Sequence, residues 1–248
     1  MPTEPEYGQR AEGSALSGLF TTILVVGAVV AGFLAWHPDY SLDTVRRLVA
    51  DTGVVEPSAV APPPRGEGTF TYAMTQPDGK SPVGFDPCRR IEIVVNPRGA
   101  PEGYAQMVDT SVQRTSEATG LTMEVVGETS ERNFTSRGTS DPVVVAWADS
   151  SEVPELAGDV RGLGGSTAMQ IGGTRRYVSG MVVIDTEGSA FDLGGRVSQA
   201  ILDHEFGHLV GLGHVDDAGE LMNPTPTRLS YGPGDLEGLA SLGQIECA

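Results

Sequence analysis

The hydrophobic pattern divides this chain into an apolar N-terminal run and a longer region of short alternating segments. Residues 15–36 are predominantly apolar, and no acidic or basic side chain occurs between residues 13 and 38. A run of this length is enough to cross a bilayer core of about 30 Å. Trp36 ends it, at a position where an interfacial aromatic residue is common. The pattern predicts a transmembrane anchor over residues 15–36, with residues 1–14 as a cytoplasmic tail.

A cleaved secretory signal is the alternative interpretation of the same run. The segment before it carries Glu4, Glu6 and Glu12 against Arg10, which makes a poor basic region. The apolar run is also longer than the roughly 7 to 15 residues of such a signal. A buried helix of a soluble domain is a third alternative. We therefore predict a single-pass protein of the cell membrane with an extracytoplasmic domain, and secretion after signal cleavage as the alternative.

Beyond the apolar run, residues 37–68 have the pattern of a stem. Apolar residues recur there at helical spacing around Val45, and the prolines that follow favour a semi-extended spacer. Residues 69–248 then have the length of one domain with its own core. In this region β-branched or alternating segments predict strands at 91–96, 121–126, 143–147 and 181–185. Helical spacing predicts a helix within 101–119.

Acidic residues outnumber basic ones, 33 against 16, which gives a formal net charge of -17. A surface this negative repels the phosphate backbone, so we expect no nucleic-acid partner. The acidic residues either favour the binding of basic peptides or lie on a solvated surface that has no role in recognition.

The candidate chemistry lies in the segment HEFGHLVGLGH at residues 204–214, which holds three of the four histidines. On a helix, His204 and His208 project from one face and can share a zinc ion. A continuous helix would carry His214 roughly 15 Å from His204. The helix must therefore end between them, and Gly211 is the residue that can adopt a positive φ there.

Three neutral imidazoles leave a fourth zinc position open for water, whose pKa the metal lowers to about 7. Glu205 then stands beside the ligands as the candidate general base. We predict one catalytic Zn²⁺ bound by His204, His208 and His214. Three packed or solvated histidines without a metal are the alternative.

The segment resembles the metzincin signature, in which three histidines, a glutamate and a glycine at these offsets precede a methionine turn. Met222 supplies that methionine, and residues 232–243 resemble the closing helix of the matrixin-type members. The resemblance covers residues 85–248, most strongly from Val182 onward. It implies an α+β domain with a twisted, mostly parallel sheet and one antiparallel edge strand. The helices that it implies are an active-site helix from about Gly195 and a C-terminal helix after Pro233.

The same resemblance implies a zinc metalloendopeptidase that hydrolyses peptide bonds with Glu205 as the general base. Its protein or peptide substrate would lie extended along the edge strand. Residues 162–167 are the candidate for that strand, where glycines allow a close backbone approach; a flexible surface loop is the alternative. A catalytically silent zinc-binding scaffold and a zinc amidase acting on cell-wall peptides are alternative functions, and the intact Glu205 argues against the scaffold.

Departures from the family pattern refine the prediction. Some metzincins carry a tyrosine two residues after the methionine, where this chain has Pro224, and this favours a matrixin-like site. Only His37 is left over, so a second zinc site built from histidines is not expected. Acidic loop residues are candidate Ca²⁺ ligands, namely Asp159, Asp185 or Glu187, and a solvated acidic loop is the alternative. Tyr231 either packs in its loop or reaches the substrate cleft.

Cys88 and Cys247 are the two cysteines of the chain and stand near the two ends of the predicted catalytic domain. A disulfide between them would tie those ends together and implies an oxidising compartment. A zinc-blocking cysteine and two buried free thiols are the alternatives. The residues around Cys88 do not match the blocking motif that some matrixins use.

Overall fold

The computed structural model describes residues 66–134, 137–187 and 195–248. In this part of the chain the order of elements is β1 (Ile91–Val95), α1 (Tyr104–Thr119), β2 (Met123–Glu128), β3 (Val143–Ala148), a 3-10 turn (Pro154–Leu156), β4 (Gly162–Ile171), β5 (Thr174–Asp185), α2 (Gly195–Val210) and α3 (Pro233–Leu242). Strand β5 starts earlier than the predicted 181–185 because it pairs with β4 along the whole length of a hairpin.

The five strands form one sheet in the order β2-β1-β3-β5-β4. Strand β1 pairs in parallel with β2 and with β3, and β3 pairs in parallel with β5. Strand β4 runs antiparallel to β5 and forms one edge. The central strand β3 is buried along its whole length, as its unbroken apolar sequence requires. The predicted mostly parallel sheet with one antiparallel edge strand is confirmed, and residues 162–167 belong to that strand.

The two faces of the sheet are covered differently. Val145 and Val182 belong to the larger apolar cluster, to which all three helices contribute. Val144 and Val183, their neighbours in sequence, point the other way and belong to a smaller cluster. Helix α2 lies against β4 and β5. The helix that carries the histidine motif is therefore next to the edge strand.

A disulfide joins Cys88, just before β1, to Cys247, after α3. The predicted pairing is therefore present, and neither cysteine is a free thiol. It links the first strand of the sheet to the segment that follows the last helix. Asp86 adds to this connection, because its carboxylate accepts the backbone N–H groups of Cys88 and Ala248.

The predicted tail (1–14), transmembrane anchor (15–36) and nearly all of the stem (37–68) lie outside the described residues. Within the part described, no helix is both long and apolar enough to span a membrane. The longest helices there, α1 and α2, have 16 residues each, which is short of the ~20 that a bilayer core requires. This finding contradicts the predicted membrane localisation, which is corrected accordingly.

Candidate metal centre

Helix α2 carries His204, Glu205 and His208 in its second half and ends at Val210. Gly211 follows with a φ of 128°, a conformation that residues with a Cβ rarely adopt. The N–H of the next residue, Leu212, bonds back to the carbonyl of Gly207 at 2.9 Å. The chain therefore turns away from the helix at the position where the sequence predicted a break.

The turn brings His214 back to the two histidines of the helix. Its Nε2 lies 3.1 Å from Nε2 of His204 and 3.0 Å from Nε2 of His208. On the opposite side of each ring, Nδ1 of His204 lies 2.7 Å from the carbonyl oxygen of Leu221, and Nδ1 of His208 lies 2.8 Å from that of Leu212. A carbonyl only accepts, so each Nδ1 carries the proton and each Nε2 presents a lone pair.

Three ring nitrogens at these distances require a positive centre between them. A proton on His214 can satisfy only one of the two lone pairs that face it, whereas a metal ion about 2.0 to 2.1 Å from each nitrogen satisfies all three. Burial lowers the pKa of His204 and of His208 to about 4, so both are neutral ligands at neutral pH. The three side chains can hold a metal ion, and three imidazoles facing an open cavity fit Zn²⁺.

Glu205 lies in the same cavity and is buried against the edge strand. Burial raises the pKa of its carboxyl to about 8. A hydrogen bond from the backbone N–H of Gly164 to this carboxyl opposes that shift. A Cβ on Gly162 would lie 2.7 Å from Cγ of Glu205, and a Cβ on Gly164 would lie 2.0 Å from its carbonyl oxygen. The absence of a Cβ at these two glycines therefore lets Glu205 approach the edge strand closely.

Met222 is fully buried and packs against the middle of helix α2. Its sulfur would lie 2.5 Å from a Cβ on Gly207, the residue between the two helix histidines. Glycine at position 207 thus leaves room for the methionine. This contact and the hydrogen bond from His204 to the Leu221 carbonyl together hold the segment around Met222 beneath the histidine motif.

Two buried carboxylates connect this segment to helix α3. Glu220 accepts the N–H groups of Gly234 and Asp235, each at 2.9 Å. Asp235 in return accepts the N–H of Leu221 at 2.6 Å and that of Gly232 at 2.8 Å. Leu221 therefore links the Asp235 carboxylate to the ring of His204. Neither Glu220 nor Asp235 was a predicted site residue.

Asp203, immediately before His204, is also buried and was also not predicted. Its carboxylate accepts hydrogen bonds from Oγ of Ser111 at 2.5 Å and from Nη1 of Arg114 at 2.6 Å, and both residues belong to helix α1. The hydroxyl of Tyr231 donates to the Asp203 carbonyl at 2.6 Å. Tyr231 is thus packed under the helix, as one alternative held. The signal that could have identified Asp203 in the sequence is an acidic residue inside the apolar run of the helix.

The cavity in front of the histidines has a volume of about 590 Å³. Its walls come from the segment before β4, from the start of β4 and from the segment after Met222, including Pro224. The predicted calcium ligands form no comparable site: among the described residues, no group of three metal-binding side chains includes Asp159, Asp185 or Glu187. The calcium prediction has no support.

Neither a known protein family nor a curated protein matches this chain. Among solved structures, one similar chain is the archaemetzincin of Methanopyrus kandleri. The two are 16% identical, and the match covers 60% of this chain and 92% of that chain with a TM-score of 0.36. The matrixin-like assignment stays a prediction from the sequence.

Proposed function

We propose that this protein is a zinc-dependent metalloendopeptidase with Glu205 as the general base. The observation that carries the proposal is the convergence of three Nε2 atoms, 3.0 and 3.1 Å apart, in the cavity that also contains the Glu205 carboxylate. His204, His208 and His214 would hold the metal. When bound, Zn²⁺ supplies Lewis acidity, which acidifies water and polarises a carbonyl group.

The remaining chemistry belongs to the side chain of Glu205. A base has to lie within hydrogen-bond reach of the water that it activates, and Glu205 shares the cavity with the ligands without being needed as one. A cation bound in the same cavity favours the ionised form of this carboxyl, against the effect of burial. The carboxylate takes the proton from the attacking water and delivers it to the departing amine. The Gly164 N–H holds the carboxylate in place while this transfer occurs.

We propose further that the peptide substrate binds in extended form beside β4. Two features support this: β4 is an edge strand, and it packs directly against the helix that carries Glu205. An edge strand offers unpaired backbone groups that an added strand can use. The bond to be cleaved would then lie over the cavity in front of the histidines.

Zinc content and a peptide-cleavage profile of the full-length protein test this function. We expect one equivalent of zinc, cleavage of peptides, and loss of cleavage with a chelator. Glu205→Gln should keep the zinc and lose about 10²- to 10⁴-fold in rate. Glu155→Gln, an exposed site outside the cavity, is the matched control.

Other results would favour other functions. Zinc at one equivalent with no cleavage of any peptide would favour a binding scaffold. Cleavage confined to cell-wall peptides would favour the amidase, and an undiminished rate in Glu205→Gln would refute the role of the base.

A further inference from the structure

We infer that Arg161 makes the cleft selective for peptides with an acidic side chain close to the cleaved bond. This selectivity rests on the proposed function, because it concerns the same cavity. Arg161 directly precedes β4 and lines the cavity that contains His204 and Glu205. It is half-buried there, so its charge is only partly solvated.

The guanidinium of Arg161 has no partner among the described residues. Arg114 and Arg132, by contrast, each form an ion pair with a carboxylate, Asp203 and Glu152 respectively. The backbone of Arg161 is held by a bond of the sheet, because its carbonyl accepts the N–H of Asp185 at 3.0 Å. The backbone is therefore fixed beside the cavity while all five side-chain donors remain available to a ligand.

A carboxylate is the group that those donors fit. Arginine binds a carboxylate through two parallel hydrogen bonds, and the partial burial of Arg161 strengthens such a pair. A basic substrate side chain would meet the same charge and be repelled. Neutral side chains such as Ile201 and Pro224 form other parts of the cavity wall.

Three negative features oppose this preference. Glu205 lines the same cavity, but its carboxylate already accepts the Gly164 N–H, and its charge also acts on the cation that the three histidines would hold. The other two are weaker than the contact with Arg161. Asp159 also lines the cavity, but it is exposed and forms no ion pair with Arg161, so water screens its charge. The net charge of -17 repels acidic peptides at long range. Salt screens that repulsion beyond about 8 Å at physiological ionic strength, whereas contact with Arg161 is short-ranged.

The experiment compares two pooled libraries of decapeptides that differ only in a fixed central residue, Glu or Gln. Initial cleavage rates are measured with the zinc-loaded full-length protein and with Arg161→Gln. Arg175→Gln, an exposed position on β5 outside the cavity, makes the same change in net charge and serves as the matched control. Binding of both pools to Glu205→Gln, with and without Arg161→Gln, is measured in parallel.

We expect the Glu pool to be cleaved about tenfold faster than the Gln pool, a factor that corresponds to about 1.4 kcal/mol. Arg161→Gln should bring the ratio to about one, and Arg175→Gln should leave it unchanged. Arg161→Glu should turn the preference towards a third pool with a central lysine.

A ratio near one in the wild type, or a ratio that survives Arg161→Gln, would overturn the selectivity and leave the peptidase standing. If the wild type cleaves neither pool, the peptidase falls and the binding measurement decides about Arg161. Equal affinity of Glu205→Gln for the two pools would then refute the selectivity. Tighter binding of the Glu pool that disappears with Arg161→Gln would support it.

Discussion

Replacing Gly162 by alanine should damage the general base while sparing the metal ligands. A Cβ at this position would lie 2.7 Å from Cγ and 2.9 Å from Oε1 of Glu205, where an ordinary contact begins at 3.4 Å. The glutamate side chain therefore has to move by roughly 0.7 Å to restore an ordinary contact, because the clash falls on it and not on a backbone atom. A misplacement of about 1 Å at a reacting group costs about 10²-fold in rate. We expect a loss of that order in kcat/KM.

Two measurements on the same preparation check this expectation. The steady-state rate reports on Glu205, and the affinity for zinc, measured by competition with a chromogenic chelator, reports on the three histidines. Gly165→Ala, on the same strand, is the matched control, because a Cβ at Gly165 would meet no atom within 4 Å. It should change neither quantity by more than a few-fold.

Three results would contradict the reasoning. A full rate in Gly162→Ala would mean that the contact with Glu205 does not position the base. An equal loss in Gly165→Ala would mean that any substitution in β4 is harmful. A parallel loss of zinc affinity would mean that the clash deforms helix α2 and not the glutamate alone.

Three further outcomes follow from the structure. His214→Ala removes one of the three converging nitrogens and should weaken zinc binding by more than the 10- to 100-fold typical of outer-shell partners, as chelator competition would measure. Burial raises the pKa of Asp235 to about 6, against the pull of the Gly232 N–H. A carboxyl whose pKa is higher in the folded chain stabilises the fold at low pH, and this contribution is lost as pH rises through the raised pKa. In urea unfolding, the free energy of unfolding of the wild type relative to Asp235→Asn should therefore grow as pH falls from 7 to 4. A difference that stays constant with pH would refute this. Replacing Cys88 and Cys247 by serine should lower the free energy of unfolding by about 2 to 5 kcal/mol, and a reducing agent should then have no further effect on the variant.

The sequence predicted the elements that local pattern and spacing control. The end of α2 followed from the offset of His214, since no continuous helix brings that residue to His204. The edge position of residues 162–167 followed from the family resemblance and is met by β4. These features were accessible because each depends on a few residues close together in the chain.

The polar contacts around the site were not accessible in the same way. Asp203 pairs with Arg114 from α1, and Glu220 bonds to backbone groups at the start of α3. Their partners lie 89 and 14 residues away in the chain. An isolated acidic residue in an apolar run signals a buried partner but does not say which one. The true packing partner of Gly162 and Gly164 was hidden for the same reason, because only the docking of α2 against β4 brings Glu205 to them.

The outer hydrogen bonds of the histidines explain where this centre is sensitive to substitution. His204 and His208 both donate to backbone carbonyls, those of Leu221 and Leu212, and no substitution at those positions removes a carbonyl. Ring orientation therefore depends on whatever holds the two backbone segments. Asp235 holds Leu221 through its N–H, and the turn at Gly211 sets the position of Leu212. Because these acceptors are neutral, they leave the charge of a bound cation uncompensated, which favours the loss of a proton from water at neutral pH.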